Sequence, residues 1–118
     1  MQEHRWNMRV AVDIPVRIEF PDNATVSGTA QDISFQGLYV DTDELPGTAE
    51  TTVPVVVRMP APRKRREEIE VPAMVVRTTD SGLGLLLFDY GDRVFDGIAE
   101  HIQTSVERHG RPRTQALR

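Results

Sequence analysis

"IPVRIEF", residues 14–20, alternates without a break. Ile14, Val16, Ile18 and Phe20 take one parity, and Pro15, Arg17 and Glu19 take the other. Successive side chains on a strand point to opposite faces, so this reads as a strand with one buried and one wet face. Pro21-Asp22-Asn23 follows with turn chemistry. The texture then recurs. A weaker strand is expected over 25–31, where Gly28 and Ala30 offer little to pack. Leu38-Tyr39-Val40 resumes the extended pattern after "DISFQG". Val53, Val55, Val57 and Met59 form another run, and Ile69, Val71, Ala73 and Val75 the next. Pro54 sits on the outer parity, which favours an edge position or a strand's start. "DELPGT" (43–48) reads as a turn or short loop, and "DSG" (80–82) as a tight connection into "LGLLLF" (83–88). About six short strands with turns between them predict a small antiparallel sandwich or barrel.

The period changes after Tyr90. Val94, Ile98, Ile102 and Val106 recur every four residues, with Phe95 and Ala99 beside them. That is an amphipathic helix of about four turns, whose apolar stripe must cover an open end or side of the sheet. Asp92 is placed to cap it, Gly97 weakens it locally, and Gly110 and Pro112 end it. The sequence thus divides into an N-terminal arm over 1–13, a strand-rich body with its helix over 14–108, and a polar, basic tail over 109–118 expected to be disordered.

Composition narrows the function. The chain has 118 residues, 39% hydrophobic, enough for one core and too few for two. A net charge of −4 argues against a long nucleic acid held through its phosphates, but not against a small anion gripped by local arginines. The absence of cysteine excludes disulfides, thiolate metal sites and cysteine nucleophiles. His4, His101 and His109 lack metal-ligand spacing, and no nucleophile–base pair stands out, so neither a metal site nor an enzyme is expected. With no signal-like or membrane-spanning run, a cytoplasmic location is the default expectation. "RKRREE" (63–68) reads as a solvated hairpin loop or as a docking surface for an acidic partner.

Two fragments carry potential chemistry. Arg5 and Arg9 stand four apart in "RWNMR", beside the only tryptophan, Trp6. They are either a solvated arm or a grip on a planar, phosphorylated ligand. Guanidinium matches phosphate oxygens two at a time, and equally O6 and N7 of guanine. The second fragment is "DISFQG", Asp32 to Gly37. It is either a plain turn or the other half of a guanine site. Asp32 offers an acceptor pair for N1–H and N2–H, Ser34 a hydroxyl, and Gly37 a close backbone approach.

Together these fragments resemble the PilZ domain family, with Arg5–Arg9 matching its RxxxR element and Asp32–Gly37 its DxSxxG element. The likeness extends over "LPGT", the "VVR" strand and "GLGLLLF", and covers roughly Glu3 to Val106. It implies a six-stranded antiparallel β-barrel with a C-terminal α-helix that binds cyclic di-GMP and signals to a downstream protein. It further implies that Arg5 and Arg9 contact phosphate and guanine edges, and that Asp32 and Ser34 hold a guanine while Gly37 keeps the approach open. Gly84 either leaves space for a base or marks a barrel bend. Ligand-binding relatives often carry more arginine ahead of the motif. Here Glu3 and His4 stand there, and Glu3 disfavours a second stacked ligand molecule. The alternative function is a ligand-independent interaction adaptor. The family is linked to motility, adhesion, biofilm exopolysaccharide and virulence, among which the sequence does not choose.

Overall fold

The structure is a computed structural model describing residues 9–45, 50–62, 66–88 and 91–109. Arg5, Trp6, most of the basic loop and the tail beyond residue 109 lie outside the described residues. Six strands run β1 (Val10–Glu19), β2 (Thr25–Ile33), β3 (Gly37–Asp41), β4 (Pro54–Pro60), β5 (Glu68–Thr78) and β6 (Gly82–Leu87), followed by helix α1 (Asp92–His109). All strand pairs are antiparallel, and the sheet closes as a barrel in the order β1-β2-β3-β6-β5-β4. Closure comes from β1 against β4, with Arg17 opposite Arg58 and Glu19 opposite Val56. A closed barrel has no free edge, so Pro54 is tolerated as the first residue of β4.

The inward parity builds the core that alternation predicts. Ile18, Val40, Val57, Val71, Val75 and Leu83 are all fully buried. Each such side chain contributes about 1.5–3 kcal/mol on leaving water, so the interior is the main stabilising term. The first strand starts earlier than "IPVRIEF". Val10 is 1% exposed and opens β1, so residues 10–13 belong to the barrel and not to the arm. A register shift between Ala11 and Ile14 interrupts the pairing there.

Helix α1 docks on β1 and β5 through its apolar stripe, burying Ile98 and Ile102. Gly97 is a packing requirement more than a weakness, because a Cβ there would lie 2.2 Å from Ile69 Cδ1. The N-terminus also differs from the sequence expectation. The Phe95 amide donates to Gly91 O at 2.9 Å, so Gly91 takes the capping place and Asp92 is the first helical residue. Asp92 then acts through its charge near the positive helix end.

Candidate ligand-binding surface

The two sequence fragments meet on the outside of the barrel. Arg9 lies at the start of β1, and its Nη1 donates to Asp32 Oδ1 on β2 in a half-buried ion pair. Strict alternation would not put Asp32 there. From the buried Ala30, Asp32 would be expected inward and Ile33 outward. Instead a register shift between Ala30 and Asp32 turns the parity over, so Ile33 is buried and Asp32 reaches the surface. A β-bulge re-aims a side chain in this manner at the cost of local pairing.

The register then lays out a lateral row. Ala11 faces Asp32, Asp32 faces Tyr39, Tyr39 faces Gly84, and Gly84 faces Arg77. Arg77 owes its place to a second bulge, between Val75 and Arg77, which turns it outward although Val75 two residues earlier is buried. Its guanidinium lies over the Tyr39 ring, 5.7 Å from the centroid. The Tyr39 hydroxyl is anchored to Thr79 Oγ1 at 2.8 Å. Gly82 lets the ring lie flat, since a Cβ there would come within 2.6 Å of the Tyr39 oxygen.

Ser34 and the two glycines take different parts. Ser34 is 2% exposed. Its hydroxyl accepts from the amides of Gln36 at 3.1 Å and Gly37 at 3.2 Å, which shapes the turn. Gly37 is needed for close approach, because a Cβ would meet Leu85 O at 2.4 Å. Gly84 leaves a slot one side chain deep, into which Arg77 lies; a Cβ there would be 3.4 Å from Arg77 Cβ and Nε. Arg9, Asp32, Tyr39, Gly84 and Arg77 thus share one face, while Ser34 and Gly37 hold the adjoining turn.

Three other arginines are paired with carboxylates. Arg17 pairs with Glu68 at 2.8 Å and Arg58 with Glu19 at 2.8 Å. Arg93 pairs with Glu67 at 3.1 Å. Arg77 has no carboxylate partner among the described residues, only the aromatic face. The row therefore presents acceptors at Asp32, a ring at Tyr39 and guanidinium donors at both ends. It is a platform and not a cavity. A cleft of about 580 Å³ lies elsewhere, between α1 and β1, lined by Val12, Ile14, Pro60 and His101. Among the described residues no cluster of histidine and carboxylate side chains could hold a metal ion, and no helix is long and apolar enough to cross a membrane.

Residues 2–107 match the family model described as "PilZ domain". The chain belongs to the PilZ family. No curated protein matches it in sequence. Among solved structures, this PilZ domain is similar to three that share little sequence. The PilZ domain of CeSA from a cellulose-synthesizing bacterium superposes with a TM-score of 0.67 at 22% identity, over 81% of this chain and 96% of that one. The PilZ domain of YcgR from Escherichia coli, solved with c-di-GMP, gives 0.70 at 12% identity, over 92% and 95%. The Bacillus subtilis inhibitor of motility, MotI/DgrA, gives 0.71 at 14% identity; the match spans 92% of this chain and 54% of that one. At these identities the likeness is one of fold.

Sequence reading missed Tyr39 and Arg77 as site residues. Each stood in an ordinary strand pattern. Only the register of the PilZ barrel, with its bulges, brings them into line with Asp32.

Proposed function

We propose that this PilZ domain binds cyclic di-GMP on the outer face of β1, β2, β3, β6 and β5, and that the loaded surface is read by a partner protein. The observation that carries the reading is the Arg9–Asp32 ion pair, made between residues 23 apart in sequence, one directly before β1 and the other on β2. It joins a donor fork and an acceptor pair, the two groups that a guanine edge requires. Arg77 extends the donor set along the row, and its guanidinium, backed by the Tyr39 ring, is a flat cation on which a purine can stack. Family membership and the c-di-GMP present in the YcgR structure support the same choice of ligand. Arg5 is proposed to join Arg9 in gripping the phosphates, and Ser34 and Gly37 to hold the turn against the base. No group of the row is placed as a nucleophile with a base beside it, so the proposed activity is binding without chemistry.

The test is a calorimetric titration with cyclic di-GMP, run on the wild type and on Arg9→Ala. The wild type is expected to bind and the variant to show no measurable heat. A partly exposed ion pair contributes only about 0–1 kcal/mol, so the variant's melting temperature should stay nearly constant. No heat from the wild type, together with unmoved amide signals across Asp32 to Tyr39, would instead favour the ligand-independent adaptor.

A further inference from the structure

The turn that carries Asp32, Ser34 and Gly37 does not stand alone. Phe35, at its tip, stacks on Phe95 of α1 with ring centroids 5.0 Å apart and planes inclined by 18°. Phe95 is 37% exposed and lies outside the buried core, so it adds little to the barrel's own packing. Ten residues further along the helix, the Ser105 hydroxyl donates to Ala11 O on β1. Ala11 is the residue opposite Asp32 and two places from Arg9. One rigid helix therefore touches both halves of the ligand surface, at points about 15 Å apart along its axis.

We infer that α1 positions the ligand surface: Phe95 clamps the 34–37 turn through Phe35, and Ser105 fixes the start of β1 beside Arg9. This inference rests on the reading of that surface as the cyclic di-GMP site. Phe95 and Ser105 are positioning residues and touch no ligand. The hydroxyl of Ser34 organises the turn from inside through two amides, and the Phe35–Phe95 stack pins it from outside. A turn held from both sides keeps the end of β2, and Asp32 on it, in place without first having to be ordered, which is where preorganised sites gain affinity. Coupling of this kind is reciprocal. Ligand that favours the clamped turn must also favour the docked helix, so α1 is the element through which occupancy reaches a partner.

The experiment compares wild type, Phe95→Ala and Phe95→Tyr. Two quantities are measured: amide hydrogen exchange at Gln36 and Gly37 in the free protein, and cyclic di-GMP affinity by calorimetry. Loss of the aromatic stack is expected to weaken binding by about three- to tenfold. It is also expected to speed exchange at those two amides while the amides around Ile98 and Ile102 stay protected. Phe95→Tyr keeps a ring and is expected to behave as wild type on both counts. Equal affinity and equal exchange in Phe95→Ala overturn the clamp, as does a loss that Phe95→Tyr shares. Should α1 detach altogether in Phe95→Ala, Ser105→Ala reads the second contact. It is expected to weaken ligand binding with the apolar stripe intact, and unchanged affinity there counts against the inference. A wild type that ignores cyclic di-GMP removes the functional reading, yet the exchange comparison still decides whether Phe95 holds the turn.

Discussion

Gly37 and Gly84 lie beside and on the proposed ligand face, yet a methyl group added to each meets different surroundings. At Gly37 the new Cβ would sit 2.4 Å from Leu85 O and 3.5 Å from Leu85 C, both backbone atoms of the neighbouring strand. Neither can rotate away. Gly37 pairs with Leu86, so β3 and β6 must separate to admit the methyl group. Overpacking of this type costs about 1–3 kcal/mol. Replacing glycine by alanine returns about 0.4–1 kcal/mol by restricting the unfolded chain. The balance for Gly37→Ala is a loss of about 1.3 kcal/mol, equivalent to a fall in Tm of about 4–8 °C for a domain of this size. At Gly84 the nearest atoms are Arg77 Cβ and Nε at 3.4 Å, ordinary contact distances, and the guanidinium end can swing aside. Gly84→Ala is therefore expected to melt within about 0.5 kcal/mol of wild type. It fills the slot in which Arg77 lies, however, and should weaken cyclic di-GMP binding. Thermal melts followed by circular dichroism, paired with calorimetry, read both effects. A Gly37→Ala melt indistinguishable from wild type would refute the argument from the Leu85 carbonyl. A destabilised Gly84→Ala would show that its slot is structural.

Two further perturbations probe the helix dock and the far end of the row. His101 is buried on α1, and its Nε2 lies 2.8 Å from Pro60 O, so when the ring is neutral its proton sits on Nε2 and is donated to that carbonyl. Burial lowers its pKa from 6.5, against smaller upward effects of the Pro60 carbonyl and Glu100. The unfolded chain thus binds the proton more readily. The contribution is complete above about pH 6.5 and is lost as pH falls below it, with a slope of at most about 1.4 kcal/mol per pH unit and less where water in the adjoining cleft screens the ring. Tm measured from pH 7.5 to 5.5 should fall more steeply for wild type than for His101→Gln; parallel curves would clear His101 of the effect. Arg77→Ala removes the guanidinium over Tyr39, and is expected to weaken cyclic di-GMP binding about tenfold with little change in Tm. Full affinity in that variant would shorten the proposed surface to Arg9, Asp32 and Tyr39.

The elements of the fold were legible because both of its periods are strong. Alternation in "IPVRIEF" and its successors gave strands whose inward residues are buried, and the four-residue spacing from Val94 gave the helix that covers them. What alternation could not give was the places where it breaks. The bulges near Ala11, Ala30 and Val75 each shift the register, and residues beyond a shift change face. Asp32 was found only because its fragment has a recognisable pattern. Arg77 has none, and by simple parity it pointed into the core. Gly97 has a second side that helix propensity does not show: a Cβ there would lie 2.2 Å from Ile69 Cδ1 and 3.1 Å from its Cγ1, so the helix could dock this closely only if Ile69 moved. The closed barrel was expected from the family resemblance, but alternation alone did not name β1 and β4 as the strands that close it, since strands so far apart in sequence declare no pairing in advance.

The bulges bear on function for a further reason. The shift at Ala30 serves core and surface at once, since it buries Ile33 and turns Asp32 outward. Each bulge gives up regular ladder pairing, and the loss falls on the strands that carry Arg9, Asp32 and Arg77. The result is a row of polar and aromatic groups across five neighbouring strands, on the outside of a core that remains fully packed. Such a surface is rigid where it borrows the barrel's backbone and adjustable where long side chains end it. Rigid presentation of Asp32 and Tyr39 favours selection of a base by shape and hydrogen bonding. Long arginines at the two ends can follow phosphates without disturbing the core, because no buried side chain depends on them. Beyond direct reading of the loaded face, occupancy proposed there can reach a partner through an element in contact with it. Helix α1 meets that requirement at Phe95 and Ser105, which makes its outward side the first place to look for the protein that reads the signal.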